Sequence, residues 1–554
     1  MTRLLPIVAL LFSLSLGLSA HEKLARELEQ VSDDQIVDVI VQYRLAPTPA
    51  HHDKVRRLGG KLNRELLGVK AGAYSLRVSG VKELANDPDV AYITPDRVVR
   101  GAALDYAQAT IGSTIALNQG YNGAGVGIAV IDSGISNNED LKTGGATRIV
   151  YNESFISGGT DDHYGHGEHV AGIIAGNGSR STGPQYAVTF RGVAPNAQVI
   201  NLRVLDQNGN GTDSAVISAI GRAIQLKTKY NIRIINLSLG RPVSESYGLD
   251  PLCQAVEQAW RAGIVVVAAA GNEGRNNSAG TNGYGTIMAP GNDPYVITVG
   301  AMKTTGTASR ADDWIASYSS KGPTSIDHIV KPDIVAPGNQ IVSLYSSTGQ
   351  LDHTFLQNAV PNSWYKIAGN SALSGDYYVL SGTSMAAPMV SGAAALLLQQ
   401  NPTLTPDQVK ARLMKTASKN FPMTSIATDP ATGITYTSQY DIFTVGAGYL
   451  DVWAALNNQD VLTGTALSPT ATYDPTTETV SLTSTPWGTS ILWGDSIVWG
   501  DSVFVSGGSI LWGDSALWGE STNQAFSILW GDSILWGDGT LSSDTSNVSI
   551  TGEP

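Results

Sequence analysis

Five apolar runs leave few folds open to this chain: VGIAVI (126–131), VINLRVL (199–205), IRIINLSL (232–239), GIVVVAAA (263–270) and YVITVGAM (295–302). Each is apolar on successive residues, not on alternate ones. A strand with one face in water alternates, whereas a strand covered on both faces does not. Helix-like stretches separate the runs. Strand, crossover and strand, repeated, predict an α/β doubly wound parallel sheet over residues 106–456, with ligands gathering at the carboxyl ends of its strands.

The flanks differ from this core, and 554 residues exceed what one core organises. Residues 1–20 have the pattern of a signal peptide: Arg3, the apolar run LLPIVALLFSLSLGL, and cleavage expected after Ala20. An uncleaved membrane anchor is the alternative for this run, but it is short for a span. Export to the extracellular side follows from the signal reading. Residues 21–105 form a small α+β unit. Strands are expected at IVDVIVQY, AGAYSLRVSG and AYITPDRVVRG, and helices at HHDKVRRLGGKL and VKELANDPDV, which suggests a ferredoxin-like, split βαβ module. The single cysteine, Cys253, excludes an internal disulfide and reads as a buried small hydrophobe.

Residues 457–554 hold eleven acidic residues and neither lysine nor arginine, and so carry −11 of the net −13 (35 − 48). That balance argues against a nucleic-acid partner. Seven of the eleven tryptophans lie here, in a repeat such as SILWGDS (490–496) and SIVWGDS (496–502). The spacing fits a small β array of stacked rows; exposed tryptophans contacting a polymer or a cell surface, and a disordered or removable tail, are the alternatives.

Four residues fall where such a sheet collects chemistry. Asp132 follows the first run in AVIDSGI; His166 begins the helical HGEHVAGIIAG; Asn272 follows a central run in VVVAAAGNEG; Ser384 begins SGTSMAAPMVSGAAALLL. A serine hydroxyl needs a base to take its proton, and histidine titrates near neutral pH. A buried carboxylate holds the imidazole in the required tautomer. A helix amino terminus and an asparagine amide offer donors to an oxyanion. Pro388 is expected in the first turn of its helix, where a missing N–H costs little.

VIDSGI, HGEHVAG and GTSMAAP resemble the three signatures of the subtilisin-like serine proteases (subtilases), in that family's order Asp, His, Ser. GVAPNAQV, NLSLG, AAAGNEG, YSSKGP and KPDIVAPG agree with it. The resemblance covers about residues 106–456. It implies a catalytic triad of Asp132, His166 and Ser384, with Asn272 as oxyanion donor. It also implies that Gly209, Asn210, Gly211, Ser238, Leu239 and Gly240 form edges that pair with an extended peptide substrate. Ala269, Ala270 and Gly271 would line the first specificity pocket. Residues 21–105 resemble the inhibitory propeptide of these enzymes, to be released by cleavage near residues 98–108; a permanent N-terminal domain is the alternative. No cofactor is implied for the chemistry. Structural calcium, bound by loop oxygens, is a family trait with no residue assigned here, and the enzyme is expected to be a monomer.

Some features depart from the family or lie outside it. Glu168 stands where the family usually has Thr or Ser; its acid favours a first helical turn, and an influence on pH optimum is the sharper reading. Met389 follows Pro388 where histidine is common. Residues 345–378 form an insertion, expected as a surface loop near the cleft. His163, His166 and His169 share an i, i+3, i+6 spacing but lack the His-Glu-x-x-His pattern, so His166 is read as base and the other two as structural. DQNGNG (206–211) mimics a calcium loop, but Ile217 stands where its glutamate is needed. Two competing functions are a non-catalytic surface protein that keeps the fold, and a processing enzyme of narrow specificity. Glu273 alone suggests tolerance of a basic side chain.

Overall fold

A computed structural model of the chain describes residues 23–29, 31–96, 106–278, 280–430, 432–474, 476, 479–482, 503–504 and 550–553. The chain divides into two compact units. One takes residues up to Arg100 with Ser181–Thr189 and Pro361–Leu373; the other takes Gly101–Arg180, Phe190–Val360 and Ser374–Pro554.

In the first unit the chain runs strand Ile36–Tyr43, helix Pro49–Arg57, strands Lys61–Leu66 and Ala71–Arg77, helix Val78–Leu84 and strand Val90–Pro95. The four strands form one antiparallel sheet in which Ile36–Tyr43 lies between Ala71–Arg77 and Val90–Pro95, and Lys61–Leu66 pairs outside Ala71–Arg77. Val37, Val39 and Val41 point into the core with Leu76, Val81 and Ile93. The helix expected over HHDKVRRLGGKL is thus corrected. It starts earlier, at Pro49, stops at Arg57, and its last residues open a strand. Gly59 takes φ +78°, a left-handed conformation that ends a helix at little cost.

The second unit holds the predicted parallel sheet. The five runs become Gly127–Asp132, Gln198–Arg203, Ile232–Leu237, Val265–Ala269 and Ile297–Lys303, and Ile149–Ser154 and Ile334–Pro337 extend the same parallel set. The order across the sheet is 149–154, 198–203, 127–132, 232–237, 265–269, 297–303, closed by the short antiparallel strand Trp314–Ile315. The chain fills one side of Gly127–Asp132 first and then the other, so Asp132 ends the strand at which the connections reverse direction. All six residues of that strand are buried.

The helix Thr383–Gln400 packs across the sheet strands Ile232–Leu237, Val265–Ala269 and Ile297–Lys303. Fifteen of its eighteen residues are buried, which explains a sequence apolar on nearly all sides and rich in alanine. An added Cβ at Gly392 would stand 2.5 Å from Val193 Cβ, so only glycine lets the helix settle. Beside it, Lys331 and Lys410 flank Asp333 at 2.7 and 3.2 Å, all three fully buried.

The insertion at 345–378 departs from the expected loop. Residues Gln350–Thr354 are helical, and Tyr377–Leu380 pair antiparallel with Ile341–Leu344, burying Tyr377 and Tyr378. The Trp-Gly-Asp repeat lies outside the described residues, as does the expected signal segment. Among the described residues no helix is long and apolar enough to cross a membrane.

Candidate active site

Asp132 is buried, and its Oδ1 accepts two hydrogen bonds: from Ser133 N–H at 2.7 Å and from His166 Nδ1 at 2.8 Å. Donation from Nδ1 leaves His166 Nε2 without a proton, which is the tautomer a base requires. The helix His166–Ala175 can reach the end of the strand because Gly167 has no side chain. A Cβ there would come within 2.3 Å of Gly134 O. Burial opposes protonation of His166, but the charge and hydrogen bond of Asp132 outweigh it and hold the imidazole above its ordinary pKa.

Asp162, which the sequence reading passed over, frames the loop. Its carboxylate accepts Ser133 Oγ–H (2.8 Å), Tyr164 N–H (3.0 Å), Gly165 N–H (2.8 Å) and Glu168 N–H (2.8 Å). It thereby caps the His166 helix and ties it to the residue after Asp132. Glu168 lies beside it, buried, and accepts Ser136 N–H at 2.6 Å. Burial first, and the Asp162 charge second, push the Glu168 carboxyl up to about 8. An unfolded chain ionises this group near 4.5, while the folded protein keeps the proton. The cost to folding is therefore absent below about pH 4.5, grows as pH rises and is complete above about pH 8. In a Ser384→Ala background, which prevents self-digestion, Glu168→Gln keeps the acceptor for Ser136. It is expected to raise Tm by about 2–4 °C at pH 8 and to leave it unchanged at pH 4. Thermal unfolding at the two pH values checks this.

Ser384 is the second residue of its helix, after Gly382 at φ +136°. Its Oγ donates to Ser238 O at 3.2 Å, and Ser238 Oγ donates back to Ser384 O at 2.7 Å. Pro388 corrects the sequence expectation: it is the sixth helical residue, inside the helix and not in its first turn. A residue there would normally donate to Ser384 O; proline cannot, and that carbonyl takes the Ser238 hydroxyl instead. His166 and Ser384 line the same cleft, but among the described residues no hydrogen bond joins them. Such contacts commonly tighten only when substrate binds.

Asn272 faces the same cleft. Its Oδ1 accepts from Thr383 N (2.9 Å) and Thr383 Oγ1 (3.1 Å), and Thr383 Oγ1 accepts Gly271 N–H at 3.1 Å. With its oxygen engaged, the amide nitrogen is the end left for a ligand. Thr383 is thus the positioning residue for Asn272, and its only signal in the sequence is its place before Ser384. Asn272→Ala is expected to lower kcat by about 10²–10³-fold with KM little changed, a size known for such a donor in a relative. Steady-state kinetics on a peptide substrate read both constants.

The cleft, of about 490 Å³, is also lined by Gly209, Asn210, Gly211, Ser238, Leu239 and Gly240. Asp206 Oδ1 accepts the N–H groups of Asn208 (2.8 Å) and Asn210 (2.9 Å), so its charge closes its own loop. Ala269 and Ala270 are buried, and neither they nor Gly271 are among the cleft-lining residues. What stands between the two glycine-bearing segments is Met288. Its side chain would lie 3.1 Å from a Cβ on Gly240 and 2.8 Å from one on Gly271. Nothing in the linear sequence signals that contact. His169 is fully buried, with Nε2 3.0 and 3.1 Å from the carbonyls of Ile341 and Tyr378; burial, and then His166, push it down to about 3. Among the described residues no cluster of three or more His, Cys, Asp or Glu is placed to hold a metal ion. Cys253 is buried, with its Sγ 3.3 Å from Asn292 Oδ1.

The profile of the subtilase family matches residues 123–448. The chain is 40% identical over 312 residues to serine protease AprX of Bacillus subtilis (strain 168), a match covering 54% of this chain and 63% of that relative, just under two thirds. It is 36% identical over 369 residues to subtilisin E of the same organism, covering 66% of this chain and 80% of the relative. It is 30% identical over 415 residues to an alkaline protease of Alkalihalobacillus alcalophilus, covering 74% and 91%.

Proposed function

Because the chain belongs to the subtilase family and is a subtilisin-like serine protease, we propose that it is a secreted endopeptidase of broad specificity, made as a self-inhibited zymogen. The observation that carries the mechanism is the 2.8 Å bond from His166 to buried Asp132 at the edge of a cleft that also holds Ser384 and Asn272. Ser384 Oγ attacks the peptide carbonyl carbon while His166 Nε2 takes its proton. The carbonyl oxygen becomes an oxyanion facing the Asn272 amide and the Ser384 N–H, which, in a first helical turn, lacks an intrahelical acceptor. The carbon–nitrogen bond breaks, His166 returns the proton to the leaving amine, and an acyl-enzyme remains. Water, deprotonated by the same imidazole, then releases the acid and restores Ser384. The base must be neutral, so activity falls as pH drops through the His166 pKa, which Asp132 holds above the ordinary value.

Substrate is a protein chain in extended form, pairing its main chain with Gly209–Gly211 and Ser238–Gly240. Such bonds do not depend on side chains, which supports broad specificity. Met288 sets a limit on it. Filling the space between Gly240 and Gly271, it favours a small residue before the cut. Met288→Gly is expected to raise kcat/KM for a peptide with Phe at that position by about 10-fold or more relative to Ala, since each buried methylene contributes ~0.8 kcal/mol. Paired peptide substrates measure the ratio.

Residues 21–105 serve as propeptide in this reading, supported by the independent core of that unit, and the leading apolar segment supports export. Incubating the purified precursor and sequencing its new N-terminus tests this. A cut near residues 98–108 is expected, and an active enzyme that retains residues 21–97 would contradict it.

A further inference from the structure

Ile550 lines the substrate cleft together with His166, Leu380, Ser381 and Ser384. It belongs to a segment, Ile550–Glu553, that nothing in the protease chemistry requires. The segment is held by more than chance contact. Ile550 O accepts Asn358 Nδ2–H at 3.1 Å. Gly552, at φ +84°, packs so closely on the Ser381 hydroxyl and Gln340 that a side chain there would collide with both. Glu553 N–H donates to Asn339 Oδ1 at 2.8 Å, and Glu553 O accepts from Asn339 Nδ2 at 3.0 Å and Gln340 Nε2 at 3.1 Å.

The side chain of Glu553 is only 4% exposed. Its Oε1 accepts Arg275 Nη2–H at 2.9 Å and Ser317 N–H at 2.9 Å, and Ser317 Oγ–H as well. Arg275 is itself buried and held in place: Nη1 donates to Asp429 at 2.7 Å, Nε donates to Ser317 Oγ at 2.6 Å, and the guanidinium lies 4.7 Å from the centre of the Tyr436 ring. Asp429 already balances the Arg275 charge, and the donors left facing the segment are Arg275 Nη2 and the Ser317 N–H. A glutamate that enters such a site behaves as a ligand entering a preformed pocket.

We propose that this is a peptide-binding site at one end of the cleft, and that its ligand is the chain's own Ile550–Glu553. Glu553 is the anchor, and Ile550 is the plug that competes with substrate for the space beside Ser384. Tethering raises the local concentration of the plug, so a weak intrinsic affinity suffices to occupy the site. The device restrains the mature enzyme independently of the propeptide, and it rests on the protease reading above.

The test compares the enzyme that has released its propeptide but keeps residues 550–553 with its Glu553→Ala variant on one fluorogenic peptide. Losing one partner of a buried charged pair weakens docking strongly, so apparent KM should fall by about tenfold at unchanged kcat. A synthetic peptide of residues 547–553 should raise KM of the variant again, competitively, and the same peptide carrying Glu553→Ala should not. A fluorescein-labelled copy of the peptide should bind the variant and be excluded from the wild type. Equal KM values, with only a lower Tm for the variant, would overturn the plug and leave a structural anchor. If neither protein turns over substrate, the protease reading fails; the labelled-peptide binding then still decides whether the site exists.

Discussion

Ser384→Ala is expected to abolish turnover, with kcat reduced by about 10⁶-fold, the size this substitution has in a relative of the family. Alanine removes the only atom able to form the acyl-enzyme and leaves the rest in place. Ser384 gives one hydrogen bond, to Ser238 O, and its carbonyl stays paired with Ser238 Oγ, so the helix start is undisturbed. The variant should therefore fold, bind peptide and accumulate as uncut precursor on a denaturing gel. Normal precursor processing in Ser384→Ala would show that another protease does the cutting, and self-maturation would fall. Residual peptide hydrolysis within tenfold of wild type would remove Ser384 from the chemistry.

Asp132→Asn should lower kcat by about 10⁴-fold while KM changes little. The geometry explains why a near-isosteric change is so costly. One carboxylate oxygen accepts both Ser133 N–H and His166 Nδ1–H, and the other is buried among the described residues without a hydrogen-bond partner. An amide that keeps its oxygen on Ser133 buries an unpaired NH₂; one that turns donates to Nδ1 and drives the imidazole proton to Nε2, where it blocks the base. The charge is lost as well. Burial then acts on His166 opposed only by the weaker influence of the Asp162 charge, so its pKa should fall, where now Asp132 holds it above the ordinary value. Proton NMR of the His166 ring and kcat at several pH values measure the two consequences separately. A kcat within tenfold of wild type would mean that Asp132 does not orient the base.

The features legible in the sequence have strong local causes. The five central strands announce themselves because they are buried on both faces, which favours runs rich in Val, Ile, Leu and Ala with few polar breaks; all five lie where expected. The strand Lys61–Leu66 was hidden because none of its six residues is fully buried, so no hydrophobic period marks it. Pro388 was misplaced because proline in a sequence signals a helix start, whereas here a tertiary partner, Ser238, takes over the carbonyl it abandons. The site divides in the same way. Asp132, His166, Asn272 and Ser384 sit in short motifs at element ends. Thr383 and Met288 act through contacts between segments apart in the chain, which no local pattern encodes, whereas Asp162 caps the helix from a few residues away and only its bond to Ser133 is distant. The docking of Glu553 on Arg275 spans 278 residues and has no counterpart in composition or period.

The most direct measurement is to treat the processed, full-length protein with a fluorophosphonate probe and locate the adduct by peptide mass spectrometry. A single phosphonylated residue, Ser384, with labelling slowed strongly in Asp132→Asn and His166→Ala, is the expected result. An adduct on another serine, or no adduct in folded protein that still cleaves peptides, would contradict a hydroxyl activated through His166 and Asp132.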